Sequence, residues 1–186
     1  MSTITLTFGD CAENHVGMKQ IGTKVDVGLG FTLDDLRIVQ SKLDNSGYKT
    51  DLHILSNVNC PKAGILIIKN GVNYLLKDSG KTSIDLETEQ KGLIPDKKYY
   101  DVRRKKVLNK HARWNLCFGE ENQEPDYENG MGRIIAFQDL PITNEIRNKL
   151  YELCGEKAHK LQCEANYYYD VKKCGIGFHG DTERRK

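Results

Sequence analysis

From Thr3 to Phe8 the chain alternates Ile4, Leu6 and Phe8 with threonines, the two-residue period of a half-buried strand. Phe31, Leu36, Val39 and Leu43 then recur at helical spacing. Thr32 stands where an N-cap belongs, Asp34 and Asp35 fall in the first turn, and Gly47 closes the helix. Asp51 to Leu55 reads as another strand. In "AGILIIKNGVNYLL", Asn70-Gly71 separates two apolar, β-rich runs, and because both residues tolerate positive φ the pair predicts a hairpin turn. A second helix is predicted from about Ser83 to Lys91, with Gly92 at its end.

Pro95 and the charged stretch after it mark a junction, and the pattern changes beyond it. Val107 to Phe118 reads as a strand or hairpin arm, and the acidic, Gly- and Asn-containing stretch from Glu120 to Gly132 as a loop. Pro141-Ile-Thr143 opens a helix with Thr143 as the expected N-cap and Ile146, Leu150 and Leu153 on one face. Asn166 to Tyr169 and Gly175 to Asp181 read as strands paired about "DVKK". The pattern divides the chain into a small α/β module over residues 1–95, of unknown role, and a second, strand-rich region over residues 96–186. The fold class is α+β or α/β.

Composition narrows the picture only a little. A length of 186 residues suits one domain or two small ones, and 38% hydrophobic with 29% charged residues is a globular balance. A net charge of +2 implies no partner by itself. The N-terminus has neither a basic nor an apolar signal region, and no run approaches the roughly 18 apolar residues of a membrane helix. These features predict a soluble intracellular protein, cytoplasmic or nuclear, with no membrane partner. The six cysteines are scattered without a C-x-x-C pair, which predicts free thiols in a reducing compartment.

Three stretches invite a chemical reading. "KDSGKTS" places Gly80-Lys81-Thr82 between a predicted strand and a helix, but a phosphate loop needs an earlier glycine where Leu75 stands, still inside that strand, so a plain N-capped helix is expected. "FGDCAENHVGM" gathers Asp10, Glu13, Asn14 and His15 after a strand. Glu13 and His15 there offer groups for metal binding or proton transfer, and a polar loop would look the same. Lys97 to Arg113 carries eight Lys or Arg, Tyr99, Tyr100 and His111 against one acid, Asp101. Cations interleaved with aromatics suit phosphate contact and base stacking, so nucleic acid is a candidate partner. A solvated strand face would share this composition.

The end of the chain, "NYYYDVKKCGIGFHGDTERRK", is the most specific stretch. On a strand, His179 and Asp181 project from the same face, offering an imidazole and a carboxylate to one ion. That supplies two of the three ligands of a 2-His-1-carboxylate iron site; a histidine held by a surface aspartate is the plainer alternative. Asn166-x-Tyr168, a turn, His179-x-Asp181 and then Glu183 follow in an order that resembles the AlkB-like branch of the Fe(II)/2-oxoglutarate dioxygenases. The resemblance spans roughly Asn109 to Lys186. "NKHARWNLCFG", "DYENG" and the helix after Pro141 fall where that family has its lid strands and supporting helix.

The resemblance implies that residues 96–186 form the first half of a double-stranded β-helix, or jelly roll. It implies Fe(II) as metal and 2-oxoglutarate as co-substrate. His179 and Asp181 would be metal ligands, Asn166 and Tyr168 contacts to 2-oxoglutarate, and Glu183 and Arg113 neighbours of the substrate. The activity implied is hydroxylation of a C–H bond; on an N-methylated base the product would fall off as formaldehyde. The family's second metal histidine and its 2-oxoglutarate arginine lie further along than the five residues that follow Asp181. The sequence therefore reads as a truncated dioxygenase, inactive as this chain alone. Two other readings stay open: a non-catalytic scaffold that meets nucleic acid through Lys97–Arg113, and a dioxygenase acting on a protein or small molecule.

Overall fold

The computed structural model of the chain describes residues 2–26, 28–55 and 63–175. In chain order the elements are β1 (Thr3–Gly9), β2 (Cys11–Glu13), β3 (Gln20–Gly22), α1 (Leu33–Asn45), β4 (Thr50–Leu55) and β5 (Ala63–Ile68). After these come α2 (Gly71–Leu75), α3 (Ser83–Lys91), β6 (Lys98–Asp101), β7 (Lys106–Asn109), β8 (Trp114–Gly119), β9 (Ile134–Ala136), α4 (Pro141–Cys154) and β10 (Gln162–Tyr168). Among the described residues the fold is mixed α/β, with four α-helices, one four-stranded sheet and three two-stranded ones.

The four-stranded sheet runs β1-β10-β8-β9, with β10 antiparallel to both neighbours and β9 parallel to β8. The first strand of the chain thus pairs with the last one described, across the junction at Pro95. The alternation that predicted β1 sets its register: Ile4, Leu6 and Phe8 lie opposite Tyr167, Ala165 and Cys163, which lie opposite Trp114, Leu116 and Phe118 on the other side. These residues share one face and form the main core with Phe137 and Leu140. A fully buried side chain of this size is worth roughly 1.5–3 kcal/mol relative to exposure, so this face carries most of the sheet's stability.

Helix α4 begins beside this core, directly after Leu140, and its start corrects an expectation. Thr143 is not the N-cap; Leu140 holds that position and Pro141 is the first helical residue. Proline lacks the N–H that a cap would serve, and the next free donors are met from outside the helix. Glu89 of α3 accepts from Ile142 N at 2.8 Å, Thr143 N at 3.0 Å and Thr143 Oγ1 at 2.6 Å. A carboxylate there also complements the helix dipole.

A second cluster joins Val39 and Leu43 of α1 to Leu153 of α4, with Leu66 and Ile68 of β5 and Tyr74 and Leu75 packed against it. Helix α1 forms as its pattern predicts. Thr32 and Asp35 make a reciprocal capping box, and the ammonium of Lys157, 2.6 Å away, holds the Asp35 carboxyl down at about 2. Gly64 lets α1 approach β5: a Cβ there would sit 2.8 Å from Leu33 Cδ1.

The hairpin expected at Asn70-Gly71 does not form. Asn70 takes the left-handed conformation (φ 57°), but it ends β5 and starts α2. Tyr74 N donates to Asn70 O at 3.1 Å, and the short helix turns Tyr74 and Leu75 onto the second cluster. A strand would have sent alternate residues to solvent; the β5 partner is instead β4. The predicted single arm from Val107 to Phe118 is likewise two strands, β7 and β8, with residues 110–113 between them. The "DVKK" turn is present, with Lys173 N and Cys174 N donating to Asp170 O at 2.9 and 2.7 Å.

Candidate functional site

Reversing the parity along β10 reverses its chemistry. Gln162, Glu164, Asn166 and Tyr168 face away from the main core, and Asn115 and Cys117 of β8 stand opposite Asn166 and Glu164. Polar groups buried on a sheet face need partners, and these are supplied by loops that fold over it. An antiparallel pair of backbone hydrogen bonds ties Asp96 to Asn115, and Lys110 N donates to Lys97 O at 2.8 Å. This brings the ends of the β6–β7 hairpin onto β8 and turns the Lys110 side chain inward.

Lys110, only 6% exposed, donates from Nζ to Asn14 O at 2.9 Å, Asn14 Oδ1 at 2.5 Å and Asn115 Oδ1 at 2.9 Å. Asn14 Nδ2 donates in turn to Asp96 Oδ2 at 2.8 Å, and Asp96 also accepts from Tyr127 OH and Arg133 N, each at 2.6 Å. On the other side Asn115 Nδ2 donates to Glu164 Oε1 at 2.9 Å and Asn166 Oδ1 at 2.6 Å. Arg113 Nε donates to the same Asn166 oxygen. Gly132 is required here, because a Cβ would stand 2.6 Å from the Asn14 side chain.

Burial drives the electrostatics. Loss of water brings the Lys110 ammonium down to about 8, against the opposing pull of Asp96, Cys117 and Glu164, while Arg113 pushes the same way as burial. Burial and the hydrogen bond to Asp96 hold the Tyr127 hydroxyl well above its usual range.

Of the residues singled out in the sequence, Asn166, Tyr168 and Arg113 come together on this face. His179, Asp181 and Glu183 lie outside the described residues. Among the described residues no group of three His, Cys, Asp or Glu is placed to hold a metal. The first-loop quartet is divided. Asn14 joins the buried network, Asp10 Oδ2 accepts from Val25 N, and Glu13 Oε1 accepts from Gly17 N. His15 stacks on Tyr99 at 3.8 Å and burial lowers its pKa. Thr82 caps α3 and Lys81 pairs with Glu145 at 3.3 Å, as befits a capped helix.

The basic run divides too. Lys110 and Arg113 turn inward, Lys97 Nζ sits 4.2 Å over the Trp114 ring, and Arg104 pairs with Asp101. Lys98, Arg103, Lys105 and Lys106 remain exposed around the tip of the β6–β7 hairpin. Trp114 also stacks on Tyr169 at 4.3 Å, and beside them a groove of about 280 Å³ is lined by Thr3, Leu93, Pro95, Trp114 and Tyr168.

Asp96, Lys110, Asn115, Tyr127 and Arg133 were not found by sequence reasoning. One signal was available: Asn115 interrupts the apolar run of "WNLCF", and a polar side chain in a buried strand must meet a partner. Lys110 gave none, being one cation among eight in its stretch.

These features define a mixed α/β protein with a buried polar face on its central strand. No family model and no solved structure matches the chain. It is 42% identical, over 193 aligned residues, to a protein of Acanthamoeba polyphaga mimivirus described as "Uncharacterized protein R156". The match takes in 98% of this chain and 71% of that protein, and the chain belongs to the same family. No helix among the described residues is long and apolar enough to cross a membrane.

Proposed function

We propose that the polar face of β10 is the 2-oxoglutarate-binding wall of an Fe(II)-dependent dioxygenase site, and that the β1-β10-β8-β9 sheet is one wall of a jelly roll. The observation that carries this reading is the state of Asn166. Its Oδ1 accepts from Arg113 Nε and Asn115 Nδ2, which directs the amide nitrogen away from both. Among the described residues Asn166 Nδ2 and the Tyr168 hydroxyl donate to no protein acceptor, and Thr3 and Thr5 beside them are exposed. Two donors at the open end of a polar face suit an oxygen-rich ligand. Arg113 has no carboxylate partner among the described residues, so its charge is available to a dianion.

The fit to the co-substrate thus rests on two donors and one cation already in place. In this reading His179 and Asp181 hold the metal, with one imidazole and one carboxylate as the donor set. Bound Fe(II) with 2-oxoglutarate and oxygen would supply hydroxylation of a substrate C–H bond. What this chain does is bind and orient the co-substrate through Asn166, Tyr168 and Arg113.

Calorimetric titration of 2-oxoglutarate into the protein with Fe(II) under nitrogen tests the proposal. We expect saturable binding, at least about tenfold weaker in Asn166→Ala and in His179→Ala. Binding that is equal in all three proteins would sink it.

A second reading, nucleic acid as partner, is favoured by the β6–β7 hairpin. Lys98, Arg103, Lys105 and Lys106 form no ion pair among the described residues, and phosphates are their natural ligands. It is compatible with the first, since a dioxygenase with a nucleic-acid substrate would need such a surface. Binding of a labelled single-stranded oligonucleotide that weakens steeply with salt supports it; binding independent of salt contradicts it.

A further inference from the structure

The Lys110 network reaches the same Asn166, which gives a buried cation a task beyond its own satisfaction. An asparagine can present its oxygen or its nitrogen to a ligand with nearly the same shape, so something must choose. Asn115 and Arg113 make the choice for Asn166 together, each donating to Oδ1. Asn115 faces the same ambiguity. Lys110 and Glu164 resolve it from opposite sides, because an ammonium has no acceptor and can only meet Asn115 through Oδ1, while the Glu164 carboxylate takes Nδ2. Asn14 and Asp96 fix the ammonium from the far side, through three donors to Asp96 that come from separate loops.

We propose that Lys110 is a positioning residue for the ligand-facing carboxamide: its charge, with Glu164, orients Asn115, and Asn115, with Arg113, orients Asn166 so that Nδ2 faces the ligand. The ligand named here, 2-oxoglutarate, rests on the proposed function; the orientation of Asn166 does not.

The network also makes the device sensitive to protons. The charged form offers three N–H donors to the three oxygens around it, Asn14 O, Asn14 Oδ1 and Asn115 Oδ1. The neutral amine has two donors and one lone pair, so one of the three oxygens loses its donor on deprotonation, and the hold on Asn115 Oδ1 weakens while Glu164 keeps its Nδ2. The charged and titratable groups facing Nζ are Asp96 from the segment before β6, Cys117 from β8, Glu164 from β10, Arg113 beside the site and His15 from the first loop. With burial bringing Lys110 to about 8, the change falls near pH 8. Stability moves the other way. The folded pKa lies below the unfolded 10.5, so the folded state releases the proton first and gains stability relative to the unfolded chain as pH rises between the two values.

Nitrogen-15 spectra of the side-chain amides test this in the intact protein, from about pH 6 to pH 10. The Asn166 amide is expected to shift with a midpoint near pH 8. The shift should disappear in Lys110→Met and shrink several-fold in Asn115→Ala. Over the same interval the stability of the wild type relative to Lys110→Met should not fall, as the lowered pKa requires of any role; the Asn166 amide shift is the readout that a merely structural clamp would not move. An Asn166 amide that ignores the titration, or that follows it undiminished in Asn115→Ala, overturns the proposal. If Lys110→Met does not fold, the wild-type and Asn115→Ala titrations decide. Adding 2-oxoglutarate with a divalent metal separates the two claims. An Asn166 that follows pH but ignores 2-oxoglutarate supports the positioning role and overturns the co-substrate reading. An Asn166 that responds to 2-oxoglutarate but not to pH overturns the positioning role alone.

Discussion

Ala165 and Asn166 are adjacent on the inner strand β10, share its backbone pairing, and face opposite worlds. Ala165 lies opposite Leu6 and Leu116 in a face closed by Phe137 and Leu140. Asn166 lies opposite Thr5 and Asn115, held by donors on one side and open on the other. The apolar face is satisfied by contact alone and needs nothing further. On the polar face each buried group must find a partner of the right kind, and among the described residues Asn166 and Tyr168 keep donors to spare. The proposed ligand site rests on that surplus, because burial of polar groups costs free energy that only bonding offsets.

The sharpest break in the comparison comes from the apolar side. Phe118→Ala empties a fully buried position and should cost about 3–5 kcal/mol in urea unfolding, while the arrangement of Asn166 and its partners is kept in the folded fraction. A loss below about 1 kcal/mol would mean that this face is not the main source of stability. Next in size is Asp96→Ala, which strands Asn14 Nδ2, Tyr127 OH and Arg133 N and leaves Lys110 without its nearest acid. About 3 kcal/mol should be lost, and the Tyr127 hydroxyl should ionise at lower pH in an ultraviolet titration.

Asn166→Ala separates the faces most cleanly. Stability should fall by only about 1 kcal/mol, yet 2-oxoglutarate binding should weaken at least about tenfold. The smallest effect on folding belongs to the hairpin tip. Charge reversal at Lys105 and Lys106 should change stability by less than about 0.5 kcal/mol. Oligonucleotide affinity at low salt should drop markedly, with a flatter salt dependence.

The apolar side was legible in the sequence. Strand periodicity in Ile4, Leu6 and Phe8 gave both the element and its core face, and Thr32 and Gly47 bounded α1 because capping is local chemistry. Asn70-Gly71 misled because positive φ is needed equally by a hairpin and by the entry to α2, and packing of Tyr74 and Leu75 decided between them. At Thr143 the cap came from Glu89, a residue of another helix that no local pattern names.

The polar side was half legible. Asn166 and Tyr168 stood out through an ordered motif. Lys110 did not, because its meaning comes from Asn14 and Asp96, 96 and 82 positions apart from Lys110 and Asn14 respectively along their bonds. The same run contains Lys105 and Lys106, exposed and unpaired among the described residues, and charge alone cannot tell them from a buried cation. Turning Lys110 and Arg113 inward from the link between β7 and β8 is what separates the two kinds.

Ligand is proposed to meet the face of β10 that carries Gln162, Glu164, Asn166 and Tyr168. The direct measurement is a map of amide and methyl resonances on addition of 2-oxoglutarate with a diamagnetic divalent metal. The account predicts saturable shifts in the Asn166 and Asn115 side-chain amides, with the Leu116 and Ala165 methyls unmoved. Shifts confined to the apolar face, or an Asn166 amide that stays in place at saturation, would contradict it.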